Sequence, residues 1–268
     1  MGPAETPIYE ALKHPLDVEA LLREVPELRL AQNQGQGPFH HLDTLEHILE
    51  TVRGVERELS EGRVGARVDE EGRRGLRVVG LLHDMAKPIT RGEVEGRVLF
   101  VAHDTLGMRL AHRVCRRLGL SARITDLVAT LTVLHLKIGF MGNPRSDYVP
   151  ERLARAAGPF GEELAVLSWA DRLAAQGPRL KSEHVERHRE LCVEFLQASR
   201  TLGPYPEPDY EGLAARLNHS PAADAGYAAS RARLLAARGL AEAAAMGRVL
   251  WLTGCDVGFE ETRSPEPC

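Results

Sequence analysis

Lysine is nearly missing from this chain: Lys13, Lys87, Lys137 and Lys181 are the only four among 34 basic residues, and arginine carries the rest. That bias, together with abundant alanine and leucine, fits GC-rich coding and says nothing about activity. Aromatic residues make up 5%, and β-branched residues are sparse. This disfavours a large sheet and leaves helix formers dominant in most windows. No run approaches the roughly 20 apolar residues of a membrane span, and residues 1–12 lack the basic start and apolar stretch of a secretion signal. A cytoplasmic protein without a membrane partner is expected. The four cysteines, Cys115, Cys192, Cys255 and Cys268, form no CxxC pair. Neither a zinc ribbon nor a disulfide scaffold fits them, and they read as reduced thiols. A net charge of -4 creates no field that would gather a polyanion, and no DNA-binding motif is found.

What is present is a globular composition, 43% hydrophobic and 27% charged over 268 residues. The expected fold is all-α, a helical bundle with a helical C-terminal extension. Residues 6–30 carry apolar positions at helical spacing and run into a polar loop at 32–37. Asp43 and Glu46 stand as a capping box before a helix that holds His47 and continues to about Leu59. The charged, glycine-rich segment 61–75 reads as a connection to an apolar helix that ends at His83-Asp84, ahead of Pro88. A hairpin or extended loop is expected at 92–100, then helices from about Asp104 and over 121–135. A loop at 139–150, a short helix to Ala157, and helices at 161–175 and 183–198 follow. The run 203–208, rich in proline, marks a boundary between a body of residues 1–203 and a linker with helical extension at 204–268. Leu234, Leu235, Leu240, Met246 and Leu250 are expected to pack on the body, ahead of a frayed tail.

The chemistry-bearing signal is an ordered series: His47, His83-Asp84, His103, His135 and Asp171, each near a helix end or on a helical face. A divalent cation at an all-helical site needs imidazole nitrogens and carboxylate oxygens from several helices, because adjacent residues cannot close its coordination shell.

This series resembles the HD-domain metal-dependent phosphohydrolases. Four stretches carry a resemblance to the HD domain of bacterial tRNA nucleotidyltransferases and poly(A) polymerases, over roughly 38–177. They are Pro38-Phe39-His40-His41-Leu42-Asp43-Thr44-Leu45-Glu46-His47, Leu81-Leu82-His83-Asp84-Met85-Ala86-Lys87-Pro88, Phe100-Val101-Ala102-His103 and Ala170-Asp171-Arg172-Leu173-Ala174. The family commonly has glycine where this chain has Ala86 and Ala102, and often a histidine pair where it has His135 alone. The glycine-serine and paired-aspartate signature of nucleotide addition is not found, so that reaction is not expected.

The resemblance implies a divalent transition-metal cofactor, one or two ions, with manganese, iron, nickel and cobalt all compatible. His47, His83, Asp84 and Asp171 would hold one ion, and Asp84, His103 and His135 a second, with Asp84 bridging. In a one-ion site His103 and His135 would instead hydrogen-bond phosphate. Asp84 and Lys87 are the expected catalytic residues, with Lys87 and Arg172 on the substrate phosphate. The expected reaction is hydrolysis of a phosphomonoester or 2′,3′-cyclic phosphodiester on a nucleotide or RNA end by metal-activated hydroxide. Rival readings are a dinucleoside polyphosphate hydrolase and a non-catalytic, metal-bound nucleotide sensor or RNA-processing scaffold. The guanosine tetraphosphate branch fits poorly, because Met85-Ala86-Lys87-Pro88 replaces its acidic pair. His40 and His41 are read as structural, His184 and His188 as one solvated helix face, and Arg109, Arg113, Arg116 and Arg117 as a solvated stripe.

Overall fold

Short polar side chains set where the helices begin. Asp17, Asp43, Asp69, Ser121 and Asp209 each accept the backbone N–H three residues on, satisfying an amide that the first turn leaves free. The structure is a computed structural model describing residues 6–38, 40–143, 148–218 and 220–239. The chain opens with α1 (Pro7–Ala11), α2 (Val18–Glu24) and a 3-10 turn (Pro26–Ala31), then α3 (Thr44–Glu61), α4 (Glu70–Leu82) and α5 (Lys87–Thr90). A hairpin of β1 (Arg91–Val94) and β2 (Arg97–Phe100) follows, then α6 (His103–Arg117), α7 (Ala122–Leu134), α8 (Lys137–Met141) and α9 (Pro150–Ala157). A second 3-10 turn (Gly158–Phe160) leads into α10 (Gly161–Ala175), α11 (Ser182–Leu202), α12 (Tyr210–Arg216) and α13 (Ala222–Ala236).

The fold is all-α, and the hairpin is the only sheet among the described residues. Its strands pair antiparallel, Arg91 opposite Phe100, around Glu95 and Gly96, both at positive φ as a type I′ turn requires. The main core is built where α3, α4, α7 and α10 face one another, with Ile48, Val52, Leu76, Val79, Leu127, Leu131, Leu164 and Leu167 buried. α6 and α13 cover α7, and α11 packs on α9 and α10. Two close helix crossings position the site. A Cβ on Gly54 would stand 3.2 Å from the Ala170 Cβ, which brings α3 against α10. A Cβ on Gly107 would stand 3.1 Å from Thr132 Cγ2, which brings α6 against α7.

Several expectations are corrected. α4 starts at Glu70, so residues 70–75 are helix rather than connection. α8 occupies part of the expected loop, and α11 runs to Leu202. The segment Ala122–Met141 is, by length and composition, apolar enough to cross a membrane, contrary to the reading above. It is broken at His135 into α7 and α8 and mostly buried inside the protein, which accounts for its apolar character. Arg116 and Arg117 do not belong to a free stripe: Arg116 Nε lies 3.5 Å from Asp224, and Arg117 bonds Glu27 and the Glu24 carbonyl. Cys115 and Cys192 are free and buried. Phe39, Leu240, Met246, Leu250, Cys255, Cys268 and the tail lie outside the described residues.

Candidate metal centre

Each candidate ligand is delivered by a helix end or a helix crossing. Asp43 fixes the start of α3 by accepting from Glu46 N at 2.8 Å and from Asn33 N at 2.7 Å, which sets His47 one turn into the helix. His83 and His135 are the C-terminal capping residues of α4 and α7, and His103 opens α6. Asp171 projects from the last turns of α10, next to the Ala170 contact with α3.

Three imidazoles are oriented by one device. Nδ1 of His83, His103 and His135 lies 2.9, 2.7 and 2.7 Å from the carbonyl three residues earlier, Gly80, Phe100 and Thr132 respectively. A carbonyl only accepts, so each ring carries a proton on Nδ1 and turns Nε2 to the opposite side. For His83 and His135 the partner is also a carbonyl at a helix C-terminus, where intrahelical donors run out.

These Nε2 atoms, with that of His47, converge on Asp84. Asp84 Oδ2 lies 3.3 Å from His47 Nε2 and 3.2 Å from His83 Nε2, and Oδ1 lies 3.5 Å from His103 Nε2 and 3.6 Å from His135 Nε2. Asp171 Oδ1 stands 2.9 Å from His47 Nε2 and 3.7 Å from His83 Nε2. Two groups of donors result, His47, His83, Asp84 and Asp171 in one and Asp84, His103 and His135 in the other, each set within 4.8 Å. The two oxygens of one carboxylate face the two groups.

The four Nε2 atoms are buried and have no hydrogen-bond partner, although they crowd around carboxylates. Buried polar atoms left unpaired are costly, and a cluster of them aimed at common points is what a cation would satisfy. The donor set, imidazole nitrogen with carboxylate oxygen, therefore fits a divalent transition metal.

The electrostatics point the same way. Burial opposes ionisation of Asp84, but the Lys87 ammonium and the surrounding imidazoles outweigh it and hold the carboxyl well below its usual range. Asp171 is likewise pulled well below it, against burial, by His47 and His83. Burial also opposes a charged His83, yet Asp84 and Asp171 raise it to about 10. His103 moves down, chiefly through burial. Two ionised carboxylates thus sit at the centre, compensated here by protonated imidazole and by Lys87.

Lys87 Nζ lies 2.6 Å from Asp84 Oδ2 and donates to Gln36 Oε1 at 2.6 Å, so its buried ammonium stands in the cluster. Gln36 carried no signal in the sequence, sitting in a polar loop. His40 meets the His47 ring edge-on at 5.0 Å, and burial, with the Lys87 charge next, lowers it to about 3. His41 Nδ1 reaches the Ala175 carbonyl at 3.3 Å. Arg172 Nη2 approaches Gly139, where a Cβ would stand 3.5 Å from it and from the His188 ring, and its Nε is buried without a hydrogen-bond partner. His188 is not on a solvated face. It is 5% exposed and meets Ser168 Oγ at 3.0 Å.

A helical body whose helix ends aim imidazoles and carboxylates at one buried carboxylate is suited to hold a divalent cation. Residues 44–176 match the HD domain family, so the chain carries an HD domain over that stretch. It is 32% identical over 230 residues to the A-adding tRNA nucleotidyltransferase of Deinococcus radiodurans, covering 84% of this chain and 48% of the relative. It is also similar to the bifunctional uridylyltransferase/uridylyl-removing enzymes of Azospirillum brasilense and Novosphingobium aromaticivorans. The first is 31% identical over 183 residues, 59% of this chain and 17% of the relative. The second is 35% identical over 108 residues, 37% of this chain and 10% of the relative. The chain thus spans about half or less of the length of these relatives.

Proposed function

We propose that this chain hydrolyses a phosphomonoester or 2′,3′-cyclic phosphodiester on a nucleotide or RNA end, with divalent metal that the Asp84 cluster would hold. The observation that carries the reading is the convergence of four unpartnered, buried Nε2 atoms on the two oxygens of Asp84. His47, His83, Asp84 and Asp171 would hold one ion and Asp84, His103 and His135 the other. Bound there, such ions acidify water toward neutral pH and neutralise charge on phosphoryl oxygens. The Nδ1–H bonds of His83, His103 and His135 hold three rings with Nε2 facing the carboxylates, so ring orientation needs little change for ligation. Lys87 places a buried point charge beside the bridging carboxylate, suited to a non-bridging phosphate oxygen. Arg172, next to Asp171 and with a buried, unpartnered Nε, would be the second phosphate contact.

The substrate class draws support from the relatives, whose names concern adding A to tRNA and removing uridylyl groups. The test is metal content by elemental analysis together with turnover of 2′,3′-cyclic AMP, 2′-AMP and diadenosine tetraphosphate, for wild type and Asp84→Asn. Two metal equivalents with turnover of the cyclic or monoester substrate are expected, and Asp84→Asn should lose both ions and at least about 10³-fold in rate. Unchanged turnover in the variant refutes the reading, and preference for the dinucleoside polyphosphate replaces it with anhydride cleavage.

A further inference from the structure

We infer that the outer edge of β1 pairs with the same edge of a second copy of this chain, joining the two hairpins into one four-stranded antiparallel sheet about a two-fold axis at Gly92. All four residues of β1, Arg91, Gly92, Glu93 and Val94, are exposed. A two-stranded hairpin is marginal in water by itself, and an open strand edge is a template for another strand. Four of the seven large apolar side chains exposed among the described residues, Ile89, Val94, Leu99 and Val101, lie on this hairpin or within two residues of it. Such a concentration marks surface that another protein covers.

Hydrogen-bond parity decides which edge is open. The two-residue turn Glu95-Gly96 makes Val94 and Arg97 the closing pair that exchanges backbone bonds, so Gly92 and Leu99 exchange them as well. The backbone groups of Arg91, Glu93, Val98 and Phe100 therefore point away from the hairpin. On β2 that side is in use, since the Phe100 carbonyl lies 2.7 Å from His103 Nδ1 and accepts its proton. On β1 the amides and carbonyls of Arg91 and Glu93 have no partner among the described residues, and neither side chain makes an ion pair there. These outward groups fix the register of self-pairing. A two-fold axis at Gly92 sets Arg91 opposite Glu93 of the second copy, and Glu93 opposite its Arg91, each pair exchanging two backbone bonds. The same register turns unpaired charges of opposite sign into two cross-strand ion pairs. Gly92 stands at the axis in open space, with nothing within 4 Å of where its Cβ would be. The run Arg91-Gly92-Glu93 is thus complementary to itself, in backbone parity and in charge, which selects another copy of this chain over an unrelated strand. An edge this short gives a weak, micromolar association rather than an obligate dimer.

The test is sedimentation equilibrium of the whole chain across the micromolar range, where the mass should rise toward twice that of one chain, less so at high salt. Glu93→Arg, and separately Arg91→Glu, sets like charges opposite each other and should raise the dissociation constant about tenfold or more. An equimolar mixture of these two variants restores both ion pairs across the axis and should recover dimer, now with one chain of each kind. Glu93→Pro removes an outward amide without breaking a bond inside the hairpin and should leave the chain monomeric. Circular dichroism confirms that each variant is folded. A wild-type chain that stays monomeric throughout, a dimer indifferent to the variants, or a mixture no more associated than its components overturns the proposal.

Discussion

At the scale of single residues, the site presents a competition for one carboxylate. Lys87 occupies Asp84 Oδ2 at 2.6 Å, the oxygen that also faces His47 and His83. A cation held by His47, His83, Asp84 and Asp171 would compete with that ammonium for the oxygen, and Lys87 would then be available to a phosphate. Replacing Lys87 by methionine should therefore separate two properties. Metal affinity, measured by titration into the stripped protein, is expected to rise, because a competing positive charge beside the ligand is gone. Turnover of a phosphate ester is expected to fall about 10²-fold, the loss typical of one preorganised electrostatic contact to the reacting group. A fall in both would make Lys87 a support for the metal site rather than a phosphate contact. The donors themselves were legible in the sequence, since imidazoles and carboxylates in this order have few other uses. Gln36 and the burial of His188 were not, because a loop glutamine and a histidine flanked by charges look the same whether or not a partner approaches from another helix.

At the scale of elements, caps explain what was readable and close packing explains what was not. Asp43 and Ser121 announced α3 and α7, and their side chains accept the amides of Glu46 and Ile124. The start of α4 was obscured by Gly72 and Gly75, which resemble helix breakers. They are places where a neighbour comes close: a Cβ on Gly75 would lie 2.8 Å from Leu127 Cδ1, and one on Gly72 would collide with the Glu163 carboxylate. Glycine within α4 is thus the consequence of tight packing by α7 and α10. The entry into α6 shows the reverse case. Ala102 adopts φ 58 and ψ 24, a left-handed conformation that a Cβ disfavours by about 1–2 kcal/mol. Ala102→Gly should relieve that strain at the cost of a more flexible unfolded chain, for a net gain of roughly 0.5–1 kcal/mol. Urea unfolding reads it as a higher midpoint at constant slope. A lower midpoint would mean that the chain meets no strain there.

At the scale of the whole molecule, the attachment of α12 and α13 to the body runs through buried charge, which no hydrophobic periodicity reveals. Asp126 on α7 is fully buried and is held by the Arg233 guanidinium, by Tyr210 Oη at 2.9 Å and by Thr130 Oγ1 at 3.1 Å. Thr130 in turn shares a hydrogen bond with Ser230 Oγ at 2.8 Å. Beside this group, Asp224 of α13 accepts from His112 Nε2 at 2.8 Å, and Tyr227 stacks on the His112 ring at 4.1 Å. Because α7 ends at His135, its packing against α13 also steadies one side of the candidate centre. Burial raises the Asp126 carboxyl, with Arg233 pulling the other way. Arg233→Met leaves that carboxylate buried without its cation, and the loss expected at pH 8 is about 3–5 kcal/mol. The pH dependence fixes the cause. A folded-state pKa above the unfolded value means the native state keeps its proton as pH rises past the unfolded pKa, so stability declines upward through that window. In Arg233→Met the window extends to higher pH, and the deficit relative to wild type should shrink as the pH is lowered and Asp126 becomes neutral. In Asp126→Asn/Arg233→Met the deficit should be smaller at pH 8 and no longer shrink as the pH falls, whereas a deficit in Arg233→Met that is independent of pH would assign the loss to packing of the arginine stem over Phe160.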